Sequence, residues 1–523
     1  MKTTVALLAF ILATPCAFAQ ASVLSKAVRS SESQEPAVPH PAQEKSAGEK
    51  LAAQLAKAGA RPNILWFLID DMGWNEPGCY GGGEALGAAT PNIDRLAAGG
   101  LKLTSCYAQP TCTPTRSAML TGRLPARTGL TRPIVAGDKL TKNPWADETN
   151  LAKILSDSGY TTVLSGKWHV GEVEGMRPFE IGFDEFYGFY PAQKELSQSL
   201  DERRYPDLVL DPDRMAAYRK LGMSHALVRG VKGGKEEVVR EMKSLDDIAE
   251  GDRLLKEFTV AKLKDLAAAK KPFFLKHSFM KVHADNFAAK AFKGKSRAKF
   301  PYKDAVVEVD AYIGEIMNAL EESGQLENTF VFITSDNGPQ MDSWPDSGHT
   351  PWRGAKGSNW EGGVRVPAIA SWKGVISPGR SSDGLFDLMD LFNTSLTLAG
   401  VADKLPKDRY IDGIDQTSFL LTDDGESHRE KVFYWDDKNF MAMRMFEYKL
   451  HVKVVETEAQ FLDIDMTSTK DVLWLFNLFI DPKESYPVGH RQNAWLASLG
   501  SEIKAHMTTF VKFPPKSVGL DRK

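Results

Sequence analysis

Unbroken apolar runs alternate with amphipathic stretches through most of this chain. Residues 63–69, Asn-Ile-Leu-Trp-Phe-Leu-Ile, run apolar without interruption after the asparagine. Such a run predicts a strand buried on both faces. Runs of the same kind recur at 161–164, 272–275 and 329–334. Between them lie helical patterns: Thr149 can cap a helix that ends at Gly159, and a second helix covers 303–323 and ends at Gly324. Strands alternating with helices predict an α/β fold, a large, mostly parallel sheet sandwiched by helices. From about Arg429 the runs become short and closely spaced, at 440–445, 448–455 and 474–479, before a helical segment over 493–511. That pattern predicts a small C-terminal antiparallel sheet plus a helix. The expected organisation is a main domain over 61–428 and a small α+β subdomain over 429–523. Two charged, weakly patterned stretches, about 191–250 and 456–472, read as insertions or long loops.

Each apolar run is followed by a polar cluster. Asp70 and Asp71 follow the first run, and Lys167 and His169 the second. Lys276, His277 and then His283 follow the third, and Asp336 and Asn337 the fourth. Ligands of open α/β sheets bind beyond the carboxyl ends of the strands, so these clusters predict one site on one rim. Asp70, Asp71, Asp336 and Asn337 offer only hard oxygen ligands, which suits Ca²⁺ or Mg²⁺, and no Cys/His spacing for zinc is present. Adjacent carboxylates repel one another unless a cation sits between them. In Cys112-Thr113-Pro114-Thr115-Arg116, Pro114 suits the first turn of a helix and puts Cys112 at its N-terminus. A cysteine there is favoured as thiolate, and Arg116 falls on the same helix face. The bare reading is a reactive cysteine beside an anion-binding guanidinium.

Composition adds the compartment. A net charge of −3 over 523 residues indicates neither nucleic acid nor an acidic membrane surface as partner. Lys2, an apolar stretch over 5–13 and Ala17-Phe18-Ala19 read as a cleavable signal peptide over 1–19, with a mature chain from Gln20 that is secreted or periplasmic, the periplasm first. The apolar stretch is too short to span a bilayer, and no later one serves as a membrane anchor. Residues 20–60 read as a flexible leader, with a short helix near 49–57. Cleavage leaves Cys79, Cys106 and Cys112, an odd number, so one thiol is unpaired or modified. A Cys79–Cys106 bridge would leave Cys112 as the odd one.

Cys112-Thr-Pro-Thr-Arg116 with Leu120-Thr121-Gly122-Arg123 behind it resembles the signature of the sulfatase family, in the alkaline phosphatase superfamily. Pro62-Asn63-Ile64 through Asp71, Thr90-Pro91-Asn92-Ile93-Asp94, Gly166-Lys167-Trp168-His169 and Ser335-Asp336-Asn337-Gly338 resemble further family segments in order. So do Arg353-Gly354-Ala355-Lys356 and the Glu361 to Pro367 stretch. Val282-His283 stands where the family has Pro-His, and Thr115 replaces a commoner serine.

The resemblance implies an arylsulfatase-like hydrolase in which a maturation enzyme oxidises Cys112 to formylglycine. It implies one divalent cation, Ca²⁺ before Mg²⁺, held by Asp70, Asp71, Asp336, Asn337 and residue 112. It also implies roles: Arg116 holds the nucleophile, Lys167 and Lys356 bind sulfate oxygens, and His283 with Lys356 protonates the leaving alcohol. His169 takes a proton to release sulfate. The implied partners are a sulfate ester, the maturation enzyme and the export machinery. Two other readings stay open: a phosphodiesterase or phosphonate monoester hydrolase of the same superfamily, and a non-catalytic binder of sulfated glycans. Substrate choice is expected in the loops about 191–250 and 340–352, where Trp344 and Trp352 read either as stacking on a sugar or aryl ring or as packing residues. Asp310 and Trp168 read as structural, and His349 reads either as pocket-lining or as surface.

Overall fold

The computed structural model describes residues 24–135, 138–222, 224–341, 345–455, 469–488 and 493–520. The expected signal peptide, Trp344 and most of the 456–472 stretch lie outside the described residues. The large sheet is built from β1 (Asn63–Ile69), β2 (Leu101–Tyr107), β3 (Thr161–Lys167), β4 (Glu185–Phe189), β5 (Ala226–Val231) and β6 (Glu237–Glu241). It continues with β7 (Phe273–Ser278), β8 (Thr329–Ser335), β9 (Arg365–Ser371), β10 (Arg380–Ser382) and β11 (Phe386–Asp387). Its order is β10-β2-β9-β8-β1-β7-β3-β4-β5-β6, with β11 also paired to β2. The central strands β8, β1, β7, β3 and β4 are mutually parallel, and antiparallel strands extend both sides.

The apolar runs form strands because both faces are covered. In β1, Ile64, Trp66 and Leu68 enter one core, and Leu65, Phe67 and Ile69 enter the other. This is the alternation of a pleated strand, with apolar residues on both sides because helices pack on both. The helix Pro301–Glu322 fills the second core with Val306, Val309, Ile313 and Leu320. Its Asp310 accepts the backbone N–H groups of Asn92 and Ile93, at 3.0 and 2.9 Å, and so holds the start of the helix Pro91–Ala98.

The small sheet has the order β12 (Lys431–Asp436), β13 (Asn439–Met445), β14 (Tyr448–Val455) and β15 (Thr469–Asn477), all antiparallel. β12 was not expected, and β15 starts before the 474–479 run. The helix Asn493–Lys512 matches the expected segment closely. Fully buried charges join this sheet to the main one. Glu361, between β8 and β9, accepts from Lys449 Nζ at 2.9 Å and from Tyr107 Oη at 2.7 Å. Lys449 also pairs with Glu484 at 3.3 Å, and Glu484 accepts from His451 and from the Glu361 N–H. Burial alone would raise the Glu361 carboxyl, but Lys449, Arg444 and Arg365 hold it down at about 2.

Three expectations are corrected. The leader is not loose: residues 41–58 form one helix, whose Lys50 donates to Leu421 O at 2.9 Å and whose Gln54 donates to Glu327 O at 2.9 Å. Ala47, Leu51 and Gln54 share its inner face. Small and polar residues seat this helix, so the sequence predicts only its second half, near 49–57. The 191–250 stretch is not one long loop; it holds short helices, the β5–β6 hairpin and the helix Leu245–Ala249. Cys79 and Cys106 are free thiols, because Cys106 packs into one core and Cys79 against the other, across the sheet.

Replacing Lys449 with Met leaves two buried carboxylates short of a cation. It is expected to lower stability by about 3–5 kcal/mol, read as a fall in the denaturant midpoint. An unchanged midpoint would remove this network from the account of how the sheets are joined.

Candidate active site

Four neighbouring parallel strands end at one rim in matched register, with Ile69 opposite Ser335, Leu68 opposite Ser278, and Gly166 opposite Ser278. β3 and β7 approach so closely there that a Cβ on Gly166, at φ 109°, would lie 1.8 Å from Ser278 O. Beyond the rim come Asp70 and Asp71, Lys167 and His169, His283, and Asp336 and Asn337. Cys112 opens the helix Cys112–Thr121 that follows β2. Lys356 arrives on the loop between β8 and β9. That loop is pinned by Lys356 N–H to Pro339 O at 3.0 Å and by Gly357 N–H to Pro110 O at 2.7 Å. All ten residues expected from the sequence thus come together, and all are buried.

The Cys112 thiol lies over the carboxylates, with Sγ 3.5 Å from Asp70 Oδ1 and 3.9 Å from Asp71 Oδ1. Arg116 donates to Asp336 Oδ2 from Nε at 3.0 Å and Nη2 at 2.8 Å, and Nη2 also reaches Asp70 at 3.3 Å. Its Nη1 donates to Lys167 O at 3.0 Å. Lys167 Nζ is 2.6 Å from Asp70 Oδ2, and Lys356 Nζ is 2.7 Å from Asp71 Oδ2 and 3.0 Å from His283 Nε2. Three carboxylates therefore face three cations with no water-exposed charge among them. Burial would raise Asp70, but Lys167 and Arg116 hold its carboxyl at about 2.

One expectation about Cys112 is overturned. Burial and the nearby Asp336 carboxylate push its thiol well up, so the helix N-terminus does not make it a thiolate here. Both histidines are held neutral. Burial and the Lys356 cation lower His283 to about 3. Burial, Lys167 and Arg116 push His169 well below its usual range. His169 Nε2 is 3.0 Å from Ile134 O, which fixes the proton on that nitrogen. Its Nδ1, buried and without a hydrogen-bond partner among the described residues, is left as a free base. Asp71 and His169 both have left-handed backbone, at φ 61° and 56°, and Thr113 Oγ1 donates to His169 O at 2.7 Å.

The rim can hold a cation. Ligand atoms of Asp70, Asp71, Cys112 and Asp336 lie within 4.8 Å of one another. Asn337 donates its amide to Asp71 Oδ1 at 2.7 Å, which leaves its Oδ1 buried and unpaired. An orphaned carbonyl oxygen beside three carboxylates is the donor set of a hard divalent ion.

Two further residues near the site stand out, Lys276 from the third strand-end cluster and Glu195, which sequence reasoning missed. Lys276, on β7, is fully buried and its Nζ has no hydrogen-bond partner among the described residues. Burial drives its ammonium well down, and the Arg116 charge adds to this. The sequence groups it with a strand-end cluster, but it lies within β7, as the register partner of Trp66, and not beyond the strand's end. Glu195 lies in the weakly patterned stretch, where nothing in the sequence marked it. Trp168 packs, as read, with Nε1 donating to Gly171 O at 2.7 Å. Trp352 lies edge-on to Trp74 at 5.2 Å, under the Arg365 guanidinium, as a packing residue. His349 Nδ1 is 3.1 Å from Asn75 Oδ1.

The sulfatase family model matches residues 62–401. An N-acetylgalactosamine-6-sulfatase of Canis lupus familiaris is 34% identical over 506 residues, covering 90% of this chain and 91% of that protein. The crystal structure of the PsFucS1 sulfatase from Pseudoalteromonas sp. superposes with a TM-score of 0.91 at 48% identity, over 94% of this chain and 99% of that one. The crystal structure of Ps i-CgsB in complex with k-i-k-neocarrahexaose shares the fold, with a TM-score of 0.67 at 23% identity over 86% and 93% of the two chains.

Two outcomes follow from this geometry. Ca²⁺ is expected to raise the melting midpoint, with the gain growing by about 1.4 kcal/mol per tenfold excess over its dissociation constant. Asp71→Asn is expected to lose most of that gain, and an equal gain in both proteins would move the ion elsewhere. Lys276→Met removes an unpartnered amine from the core and is expected to stabilise the protein by about 1–3 kcal/mol, read by denaturant unfolding. A loss of stability would give Lys276 a partner this geometry lacks.

Proposed function

This chain belongs to the sulfatase family and is an enzyme of that class, and on that premise we propose that it hydrolyses sulfate esters of carbohydrates with residue 112 as formylglycine. What carries the proposal is the convergence on the Cys112 thiol of three carboxylates, one guanidinium and two lysines. The bound cation would neutralise sulfate oxygens and activate the attacking hydroxyl. A dry cage of protein oxygens suits Ca²⁺, which accepts many ligands in flexible geometry, better than Mg²⁺, which keeps its waters. Asp70, Asp71, Asp336, Asn337 and residue 112 would hold it.

Oxidised and hydrated, residue 112 would carry two hydroxyls, one to attack sulfur and one whose proton leaves when sulfate is released. Arg116, one turn along the helix from that residue, holds Asp70 and Asp336 in place and would fix it through them. Lys167 and Lys356 bind the sulfate oxygens and stabilise the charge that builds there. The Lys356–His283 pair, 3.0 Å apart, delivers a proton to the departing alcohol. The proton on that pair sits on Lys356 in the free enzyme: burial opposes its ammonium, but Asp71 raises it above the ordinary lysine range. His169 Nδ1, already neutral and unpartnered, takes the proton from the second hydroxyl.

The sulfated-sugar substrate draws support from the relatives, whose names include N-acetylgalactosamine-6-sulfatase. Residues 61–428 form the catalytic domain in this reading and 429–523 the smaller one. A maturation enzyme that oxidises Cys112 and an export system that reads residues 1–19 are the partners it requires, with the periplasm as destination. Among the described residues no helix is long and apolar enough to cross a membrane.

The test is to purify the protein from a host with the maturation machinery, weigh the peptide containing residue 112, and compare turnover of 4-nitrophenyl sulfate and bis(4-nitrophenyl) phosphate. Aldehyde at 112 and preferred sulfate turnover are expected. Preferred phosphodiester turnover would transfer the chain to the phosphodiesterase reading, and an unmodified, inactive protein would make it a binder. Lys167→Ala is expected to lower kcat by about 10²–10³-fold in the same assay.

A further inference from the structure

The helix Gln193–Gln198 is clamped to the segment that carries His283. Gln193 Nε2 donates to His283 O at 3.2 Å and to Asp285 O. Ser197 Oγ and Tyr205 Oη donate to the Asp285 carboxylate at 2.8 and 2.9 Å, and Arg204 pairs with it at 2.9 Å. From the other side, Tyr218 Oη donates to Glu195 O at 2.9 Å, and Leu196 is buried beside Phe189 and Met280. Phe189 is the register partner of Lys167. The helix is therefore a fixed wall between the Lys167 and His283 arms of the site.

Glu195 stands on that wall. Its Oε2 is buried and has no hydrogen-bond partner among the described residues. The charges of Lys167 and Lys356 reach it, and burial raises its carboxyl. Neither lysine is a partner for it, since they close on Asp70 and Asp71. A buried acceptor left unpaired costs stability, and a ligand that donates to it would remove that cost.

We infer that Glu195 is a specificity-determining residue whose carboxylate accepts hydrogen bonds from the hydroxyls of the sugar ring that bears the scissile sulfate. The inference rests on the sulfatase reading above. With the sulfate held at Lys167 and Lys356, a sugar ring leaving the site passes this wall, and the hydroxyls nearest the sulfate, on carbons next to the esterified one, are the ones that would meet the carboxylate. A carboxylate accepts from one or two of them at once. An aryl sulfate has no such donor. A second sulfate at the neighbouring position meets a negative charge instead, so Glu195 selects for a free hydroxyl and against a disulfated unit.

The experiment uses the full mature protein with aldehyde at residue 112. The probes are 4-nitrophenyl sulfate and a panel of monosulfated hexoses, hexosamines and deoxyhexoses, with one vicinal disulfate for each sugar cleaved. In Glu195→Gln, kcat/KM on the best sugar sulfate relative to that on the aryl sulfate is expected to fall about 10- to 100-fold. The discrimination against the vicinal disulfate is expected to shrink with it. Glu195→Asp, which keeps the charge one carbon further back, is expected to fall between, and it carries the test if the amide variant does not fold. Parallel loss on both substrates, or no change in their ratio, would make Glu195 a structural residue and overturn the inference. So would a wild type that cleaves the aryl sulfate and none of the sugars. A wild type inactive on both would instead overturn the sulfatase reading on which this one stands.

Discussion

The structure depends on one electrostatic constraint: three carboxylates, Asp70, Asp71 and Asp336, are removed from water at the end of a parallel sheet. An isolated buried carboxylate costs many kcal/mol, far more than one side-chain contact returns. The chain answers with Arg116, Lys167 and Lys356, each from a different segment and each within hydrogen-bond distance of at least one of the three. That requirement explains why β2, β3 and the loop after β8 must all end at the same place. It also explains the tight approach at Gly166, where the backbone of β3 has to lie against β7 for Lys167 to reach Asp70.

The same constraint gives the small C-terminal sheet its place in the chemistry. Lys356 is useful only if its loop returns to the rim, and that loop leads directly into Glu361. The Glu484 carboxylate holds the Glu361 N–H at 2.8 Å, and Arg353, three residues before Lys356, donates to Glu484 O at 2.7 Å. The lysine loop is thus gripped at both ends by a residue beyond β15. None of these groups touches the rim, yet they set where the Lys356 ammonium stands.

Much of this was legible in the sequence, for identifiable reasons. A strand covered on both faces has to be apolar throughout, so β1, β3, β7 and β8 announced themselves, and the polar residues after them fell at the strands' carboxyl ends. Arg116 was legible because four residues return a helix to the same face. What sequence could not carry was the state of each group. The position of Cys112 suggested a thiolate, and only the placement of Asp336 and the depth of burial reverse that. Lys276 follows an apolar run like the rim residues do, but β7 continues through it and leaves it inside the strand, level with Trp66. Glu195 stands in a weakly patterned stretch that gives it no local signature, and the grip of Glu484 on the lysine loop lies in contacts 123 and 131 residues apart in the chain. Of the leader only a short helix near 49–57 was legible, because Ala47 and Gln54 fill a groove by being small or amide-bearing, and not by being apolar.

That leader has a consequence for the order in which the chain assembles. Gln34 bridges to Ile411, Glu35 accepts from Tyr410, Gln43 donates to Ser418, and Lys50 reaches Leu421. Every one of these contacts spans more than 370 residues. Closing a loop of that size costs chain entropy before any contact repays it, and the binding surface does not exist until the segment around 410–428 has folded onto the main sheet. These residues of the leader are therefore among the last to settle. They act as a seal that forms only over a completed fold, and a chain stalled at any earlier stage leaves that groove uncovered.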